Sequence, residues 1–532
     1  MSATSPRSVS DRLVRPTLGE LWTFLAVALP VLAALLATLP TVDLAYQLRA
    51  GAEILDGRGI PHVDSWTFTA FGAPWLDQQW GAQVILATVH RAAGWVGLAL
   101  LRATLVGLIS ALVLAAIRAR APGMRSRTSA LLALAAFVVM APALALRPQL
   151  LGMALFALTV ALLAARTRSP RALWLLPVIA AAWANLHGSF VLAPILVGLA
   201  WLEDLQARSG EARTSTRTSA QARARTSAHA TFLVTLATSA ATLVTPFGLG
   251  AWEYAVGLVT NRQVTAQVSE WQPPNLGDGP GMLFWGSVAL AAAAVALLLR
   301  RSTGSPGGAP PWATLLGLLA FAALGATTGR AIAWWSVVAA VGLATLAARA
   351  PVPATNAVHP ALLPSTVSLG AHGNRLNSVV AGALVLAGIA LVPAWRPLDA
   401  TLGAPSGLLG QAPAGITAAL RAVATTEDRV WNPQMWGSWL EFAVPAPSYA
   451  LDSRIEIIPA SVWADASTVS AAGPGWDQIL DDAGVTIVIT DGPSSSPLAT
   501  ALAAVKPERA SPFWKPVYVD DAGAIWVRTL VR

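Results

Sequence analysis

Eleven apolar stretches recur between residues 20 and 395, at 20–40, 95–117, 128–146, 149–165, 173–190, 191–206, 229–247, 282–299, 312–328, 331–348 and 378–395. Most are 17 to 23 residues long. A helix rises ~1.5 Å per residue, so runs of this length match the ~30 Å hydrocarbon core of a bilayer. The chain is therefore expected to be an all-α polytopic membrane domain of about 11 transmembrane helices. The charge content agrees: 12% of residues are charged, against ~25% in a soluble domain.

The +8 formal charge is carried almost wholly by arginines in the short loops between apolar stretches. No basic patch is interleaved with stacking aromatics, which argues against a nucleic-acid partner. With residues 1–19 as a cytoplasmic tail and the spans alternating, the inner loops hold 19 arginines. The outer loops before residue 396 hold only six: Arg49, Arg58, Arg91, Arg147, Arg262 and Arg330. This is the asymmetry of the positive-inside rule, and it puts the C-terminus outside. The first apolar run follows Arg7, Arg12 and Arg15, is longer than a signal-peptide core and reads as a retained anchor. If residues 75–91 also crossed, the arginine-rich loops would face outward. They are expected to form a juxtamembrane or re-entrant helix within a long first outer loop, 41–94. Residues 207–228 read as a flexible basic linker in the cytoplasm, and 302–311 and 350–376 as similar Pro/Gly/Ser-rich connectors. With no cysteine in the chain, disulfides and cysteine metal sites are excluded.

From residue 396 to 532 the pattern changes to that of a small extracytoplasmic α/β domain. Helical patterns at 411–426 and 474–484 alternate with strand-like runs at Arg429-Val430-Trp431, Tyr449-Ala450-Leu451 and Val485 to Ile489. Near the end, WKPVYVDDAGAIWVR predicts a hairpin turning at Asp-Asp-Ala-Gly. Asp452, Arg454 and Glu456 read either as a site or as a structural ion pair at a strand end.

Ionisable groups beside spans are costly and therefore informative, and here they gather on the outer side. Asp43 opens an amphipathic helix, 43–56, with Leu44, Leu48, Ala52 and Leu55 on one face. It reads either as a helix cap or as a general base at the mouth of a cavity. Arg147 and Arg330 stand at one depth, where they either snorkel to the interface or clamp a phosphate. In Trp183-Ala-Asn185-Leu-His187, Trp183 and His187 share a helix face, while Asn185 points elsewhere unless the helix ends there. No second histidine lies close enough for a zinc site. Asp64 and Asp77, in turn-like settings, are structural residues or line the cavity, and Glu270-Trp271 lines it or caps a span.

These residues carry a resemblance. The run Asp43…Arg49-Ala-Gly51…Gly59-Ile-Pro61-His-Val-Asp64-Ser-Trp-Thr-Phe68…Pro74-Trp75…Trp80 resembles the first outer loop of bacterial GT-C-type membrane proteins. These are largely uncharacterised relatives of polyprenyl-phosphate-sugar transferases. Arg147-Pro148-Gln149, Trp183 to Gly188, Pro246-Phe-Gly248, Glu270-Trp271 and Trp436-Gly437…Asp452-Ser-Arg454 look like later landmarks of the same group. The resemblance implies a glycosyltransferase of the bacterial plasma membrane. It would move a sugar from a polyprenyl-phosphate donor to the hydroxyl of a glycan, protein or lipid acceptor. It further implies Asp43 as catalytic base, with Arg147, His187, Arg330 and Asn185 binding substrate phosphate and Asp64, Asp77, Trp80, Glu270 and Trp271 lining the cavity. The Asp-Asp or Asp-x-Asp pair of some GT-C enzymes is absent from the first outer loop, which leaves the use of a divalent cation open. Two other classes compete. A transporter or flippase would need mid-membrane polar groups, and Arg102 is the main one. A non-catalytic cell-envelope assembly protein would scatter the polar residues.

Overall fold

The computed structural model describes residues 15–211, 219–261, 265, 268–302, 311–349, 373–492, 495–505 and 512–530. The tail to residue 14, Arg262, the centre of the 207–228 linker and most of the other two connectors lie outside the described residues. A helix occupies each of the eleven apolar stretches, and among the described residues seven helical segments are long and apolar enough to cross a membrane. Four more among the described residues are apolar but shorter: Pro170–Ala184, Trp312–Thr327 and Arg375–Ala390 in the apolar stretches, and Ala414–Val423 in the C-terminal part.

The first helix, α1 (Leu18–Leu36), starts where Thr17 and Glu20 form a reciprocal cap, the Thr17 side chain accepting from the Glu20 amide. At its far end Arg102 donates to the carbonyls of Ala34, Ala37 and Thr38. A buried guanidinium thus satisfies the carbonyls that a helix end leaves unpaired. That arginine belongs to α3 (Trp80–Arg120), in which Gly94, at φ +59°, separates an initial segment from the long apolar one. The initial segment is the helix expected at 75–91, beginning at Trp80.

Between them, α2 (Thr41–Glu53) lies against the start of α3. At Gly51 a β-carbon would stand 2.1 Å from the Gln83 carbonyl oxygen, so only glycine permits the approach. Leu44 and Leu48 of α2 are buried as the pattern predicts, but so is Gln47, whereas Leu55 falls in an exposed turn after the helix ends. In the membrane part, α3, α5 (Pro148–Ala165) and the helix Ile332–Arg349 form the interior. In the most apolar 18 residues of both Pro148–Ala165 and Gly329–Arg349 72% are buried, against 11% in those of Gly279–Arg301, whose apolar surface faces outward. The expected 207–228 linker is helical at both described ends, within Leu192–Glu211 and Ser219–Ala241. Its alanines, arginines and glutamine are good helix formers.

The C-terminal residues build a five-stranded sheet in the order Ser448–Tyr449, Arg429–Trp431, Ile487–Asp491, Gly523–Leu530 and Pro512–Val519. The first three strands are parallel, and the last two form the expected hairpin. In its turn the Asp520 carboxylate accepts from the Ala522 and Gly523 amides. The two expected helices appear as Ala414–Val423 and Trp476–Asp482, and three unexpected ones join them at Gln434–Ala443, Ala460–Ser470 and Pro497–Ala504. This part is tied back to the first loop: Leu39–Pro40 pairs in parallel with Leu409–Gly410, and the Phe68 amide donates to the Tyr449 carbonyl at 3.0 Å.

Candidate functional site

Asp43 lies in the first turn of α2, whose cap residue is Pro40. The carboxylate caps nothing. It faces Arg147, whose Nε lies 3.1 Å from Oδ2. Arg147 caps α5 ahead of Pro148, an arrangement that suits a helix start because proline has no amide to leave unpaired. Its Nη1 donates to both oxygens of Glu270, at 2.9 and 2.8 Å. Arg330, in the short turn Gly329–Ala331, donates from Nε to Glu270 Oε2 at 3.2 Å and stacks on Trp271. The result is a continuous chain, Asp43–Arg147–Glu270–Arg330. Burial opposes the Glu270 charge, but Arg147 and Arg330 outweigh it and hold its carboxyl below the usual range.

This chain separates two cavities. Asp43, Arg147, His187, Trp271 and Arg330 line a narrow polar one of about 70 Å³, together with residues from the first loop and the C-terminal segment. Arg147, Gln149 and Arg330 also line a cavity of about 770 Å³, which Glu270 joins. Its other walls are largely apolar, from Val139, Pro142, Ala143 and Ile332. The helix expected to carry Trp183 and His187 on one face stops at Ala184. His187 instead caps the turn Gly188–Val191, its Nδ1 accepting from the Ser189 amide at 3.1 Å. The proton of a neutral ring therefore sits on Nε2.

Four expected site residues are engaged elsewhere. Asn185 accepts from the Trp80 indole at 3.0 Å and donates to the Ala181 and Val244 carbonyls, so both Asn185 and Trp80 lock the first loop onto the 181–187 segment. Asp64 is buried, caps the turn at Trp66 and Thr67, and pairs with Arg454 at 2.6 Å. Asp77 is buried and accepts from Gln83 at 2.7 Å. None of these four lines either cavity. Asp452 and Arg454 form an ion pair, as one of their two readings predicted, but Asp64 makes it a triad across two distant segments. The Arg454 guanidinium lies over Trp66 and Trp75 at 4.2 and 4.5 Å. Burial pulls Arg454 down, yet Asp452, Glu441 and Asp64 hold it above its ordinary value.

Among solved structures, the chain is similar to the oligosaccharyltransferase of Archaeoglobus fulgidus tethered to an acceptor peptide containing the NVT sequon. The identity is 12% and the TM-score 0.52, with 89% of this chain and 69% of that one covered. The apo form of the same enzyme matches at 12% identity, TM-score 0.51 and the same coverage. No protein-family model and no curated protein matches the chain. At this identity the likeness fixes the fold.

The chain has the GT-C fold.

Two residues of this site, Tyr46 and Tyr254, were not singled out by the sequence. Tyr254 donates to Glu456 Oε1 at 3.0 Å, and both line the polar cavity with Tyr46 and Ser453. Burial pushes the Glu456 carboxyl and the Tyr46 and Tyr254 hydroxyls up. Glu456 had been noted beside Asp452 and Arg454, but lone tyrosines in an apolar chain give no pattern to read.

Proposed function

We propose that this protein is a GT-C membrane glycosyltransferase that moves a sugar from a polyprenyl-phosphate donor to an extracytoplasmic acceptor hydroxyl. The observation that carries the reading is the Asp43–Arg147–Glu270–Arg330 chain standing between a large, mostly apolar cavity and a narrow polar one. A lipid-linked sugar suits the large cavity, its phosphate drawn to the two guanidinium groups, whose fork geometry matches phosphate oxygens. The acceptor enters from the polar side. Asp43 takes the proton of the acceptor hydroxyl as that oxygen bonds to the anomeric carbon. The bond from the anomeric carbon to the lipid phosphate breaks, and Arg147 and Arg330 stabilise the charge left on the phosphate. A His187 Nε2–H in the same cavity adds a neutral donor.

The donor set does not fit a divalent cation. Asp43 and Glu270 are both engaged by arginine, and no group of three or more His, Asp or Glu side chains that could hold a metal occurs among the described residues. In this reading the N-terminus is cytoplasmic, eleven helices span the bacterial plasma membrane, and residues 396–532 form a separate extracytoplasmic domain. The arginine asymmetry supports that orientation.

Transfer of radiolabelled sugar from polyprenyl-phosphate-sugar in proteoliposomes tests the proposal. Asp43→Asn is expected to lower the rate by ~10²-fold or more, the usual contribution of a general base, with donor binding retained. Wild-type turnover in the Asn variant would sink the mechanism.

A further inference from the structure

A third cavity, of about 340 Å³, lies in the C-terminal part at the carboxyl ends of the parallel strands Arg429–Trp431 and Ile487–Asp491. Open α/β sheets bind ligands at such strand ends, and this volume is within the range of small-molecule sites. Trp431 and Trp463 line it with indole surface, and Gln434, Thr490 and Asp491 add an amide, a hydroxyl and a carboxylate. Trp463 Nε1 is a buried donor with no acceptor among the described residues. The Asp491 carboxylate is exposed and has no side-chain partner among them.

The chemistry of the walls narrows the ligand. Among the described residues no Arg, Lys or His lines the cavity, so they offer a phosphate or carboxylate no counter-charge. The turn after the first strand, Asn432-Pro433-Gln434, has none of the glycines that let a backbone approach a pyrophosphate. Flat indole surface beside amide, hydroxyl and carboxylate groups suits a neutral ring with an apolar C–H face and a rim of hydroxyls.

We propose that this cavity is a saccharide-binding site, holding a neutral sugar unit of a glycan acceptor. Its position supports the acceptor role. Leu451 lines this cavity, and Ser453, Ile455 and Glu456 line the polar cavity of Asp43. An extended chain covers at most ~3.6 Å per residue, so the five steps from Leu451 to Glu456 place the two walls within ~18 Å. A short oligosaccharide anchored at Trp463 can present a hydroxyl to Asp43. The acceptor role rests on the transferase reading, whereas saccharide binding does not.

Saturation-transfer NMR on the full-length protein in lipid nanodiscs tests the site, with free di- to tetrasaccharides of glucose, galactose, mannose and arabinose as probes. At least one of them is expected to bind, with affinity at least tenfold weaker in Ser467→Trp. That substitution fills the cavity from an exposed helix position. Trp463→Leu, which removes the flat indole surface and keeps an apolar side chain, is expected to weaken binding severalfold. No signal from any of these sugars, or one unchanged in Ser467→Trp, overturns the proposal. So does equal competition by a neutral peptide. Asp43→Asn is expected to bind the same sugar as the wild type. If sugar binds but Asp43→Asn still catalyses transfer, the transferase reading falls and the saccharide site stands. If Asp43→Asn abolishes transfer and no sugar binds, the outcome is reversed.

Discussion

Asp77 offers a quantitative test of how the first loop is built. Its carboxyl is 3% exposed, and burial raises it from 3.8 to about 7, with Gln83 and Arg454 only partly opposing the shift. One oxygen accepts from Gln83, while the other has no donor among the described residues. Between pH 3.8 and about 7 the folded protein holds a proton that the unfolded chain has released. Stability therefore falls as pH rises through that window and levels off above it. The span of just over three units corresponds to about 4 kcal/mol at ~1.4 kcal/mol per unit. Asp77→Asn keeps the carbonyl that Gln83 uses and removes the ionisation. The variant should match the wild type below about pH 4 and exceed it increasingly from there towards pH 8, approaching that figure. Thermal unfolding of the detergent-solubilised protein, followed by tryptophan fluorescence across this range, measures the difference. Glu441 and Glu456, also pushed up by burial, tilt both curves alike, so the gap between the two proteins is the diagnostic quantity. A gap that does not widen with pH would refute the reasoning.

Three further outcomes are expected. Arg454→Met leaves the fully buried Asp64 and Asp452 unpaired, with the buried Glu441 nearby. It should destabilise the protein by ~3–5 kcal/mol, as breaking a buried ion pair does; a denaturation midpoint close to wild type would contradict this. Gly51→Leu drives a β-carbon to 2.1 Å from the Gln83 carbonyl. Thermal unfolding should show a loss of ~1–3 kcal/mol or more from overpacking, and transfer should fall with it because α2 carries Asp43. Glu270→Gln removes the charge that occupies both guanidinium groups, so inorganic phosphate should inhibit transfer at severalfold lower concentration. Weaker inhibition would mean that the arginines do not receive the donor phosphate.

The membrane part was legible because hydrocarbon imposes one rule on every segment: length and apolarity must match the bilayer. Asp43, Arg147, Arg330 and Glu270 were legible individually, since charge at the outer ends of spans is scarce. Their connection was not, because nothing local shows that Glu270 bridges two arginines from separate loops. Asn185 and Trp80 show the opposite limit. They are 105 residues apart and bond to each other, so each resembled a free polar group when read alone. His187 was misplaced because the helix was extended one turn too far, and the Ser189 amide that its ring caps, at the start of the next turn, is visible only in the fold. In the C-terminal part the hairpin was read correctly from its turn chemistry. The helix Gln434–Ala443 was missed because its buried face carries Gly437, Ser438 and Glu441 beside Trp439 and Leu440, a mixture that does not read as a core stripe.

The bond from Ser453 Oγ to the Val42 carbonyl spans 411 residues and lands one position before Asp43. Thr41 is likewise held by the Gly410 carbonyl, and Asp64 by Arg454. Chains emerge from the ribosome at ~5–20 residues per second, so the two ends of this bond are made ~20–80 s apart. During that interval Asp43 and Arg147 exist without Ser453 and Glu456 to close the cavity between them. A chain that stops before Glu456 cannot assemble this cavity, however complete its apolar helices are.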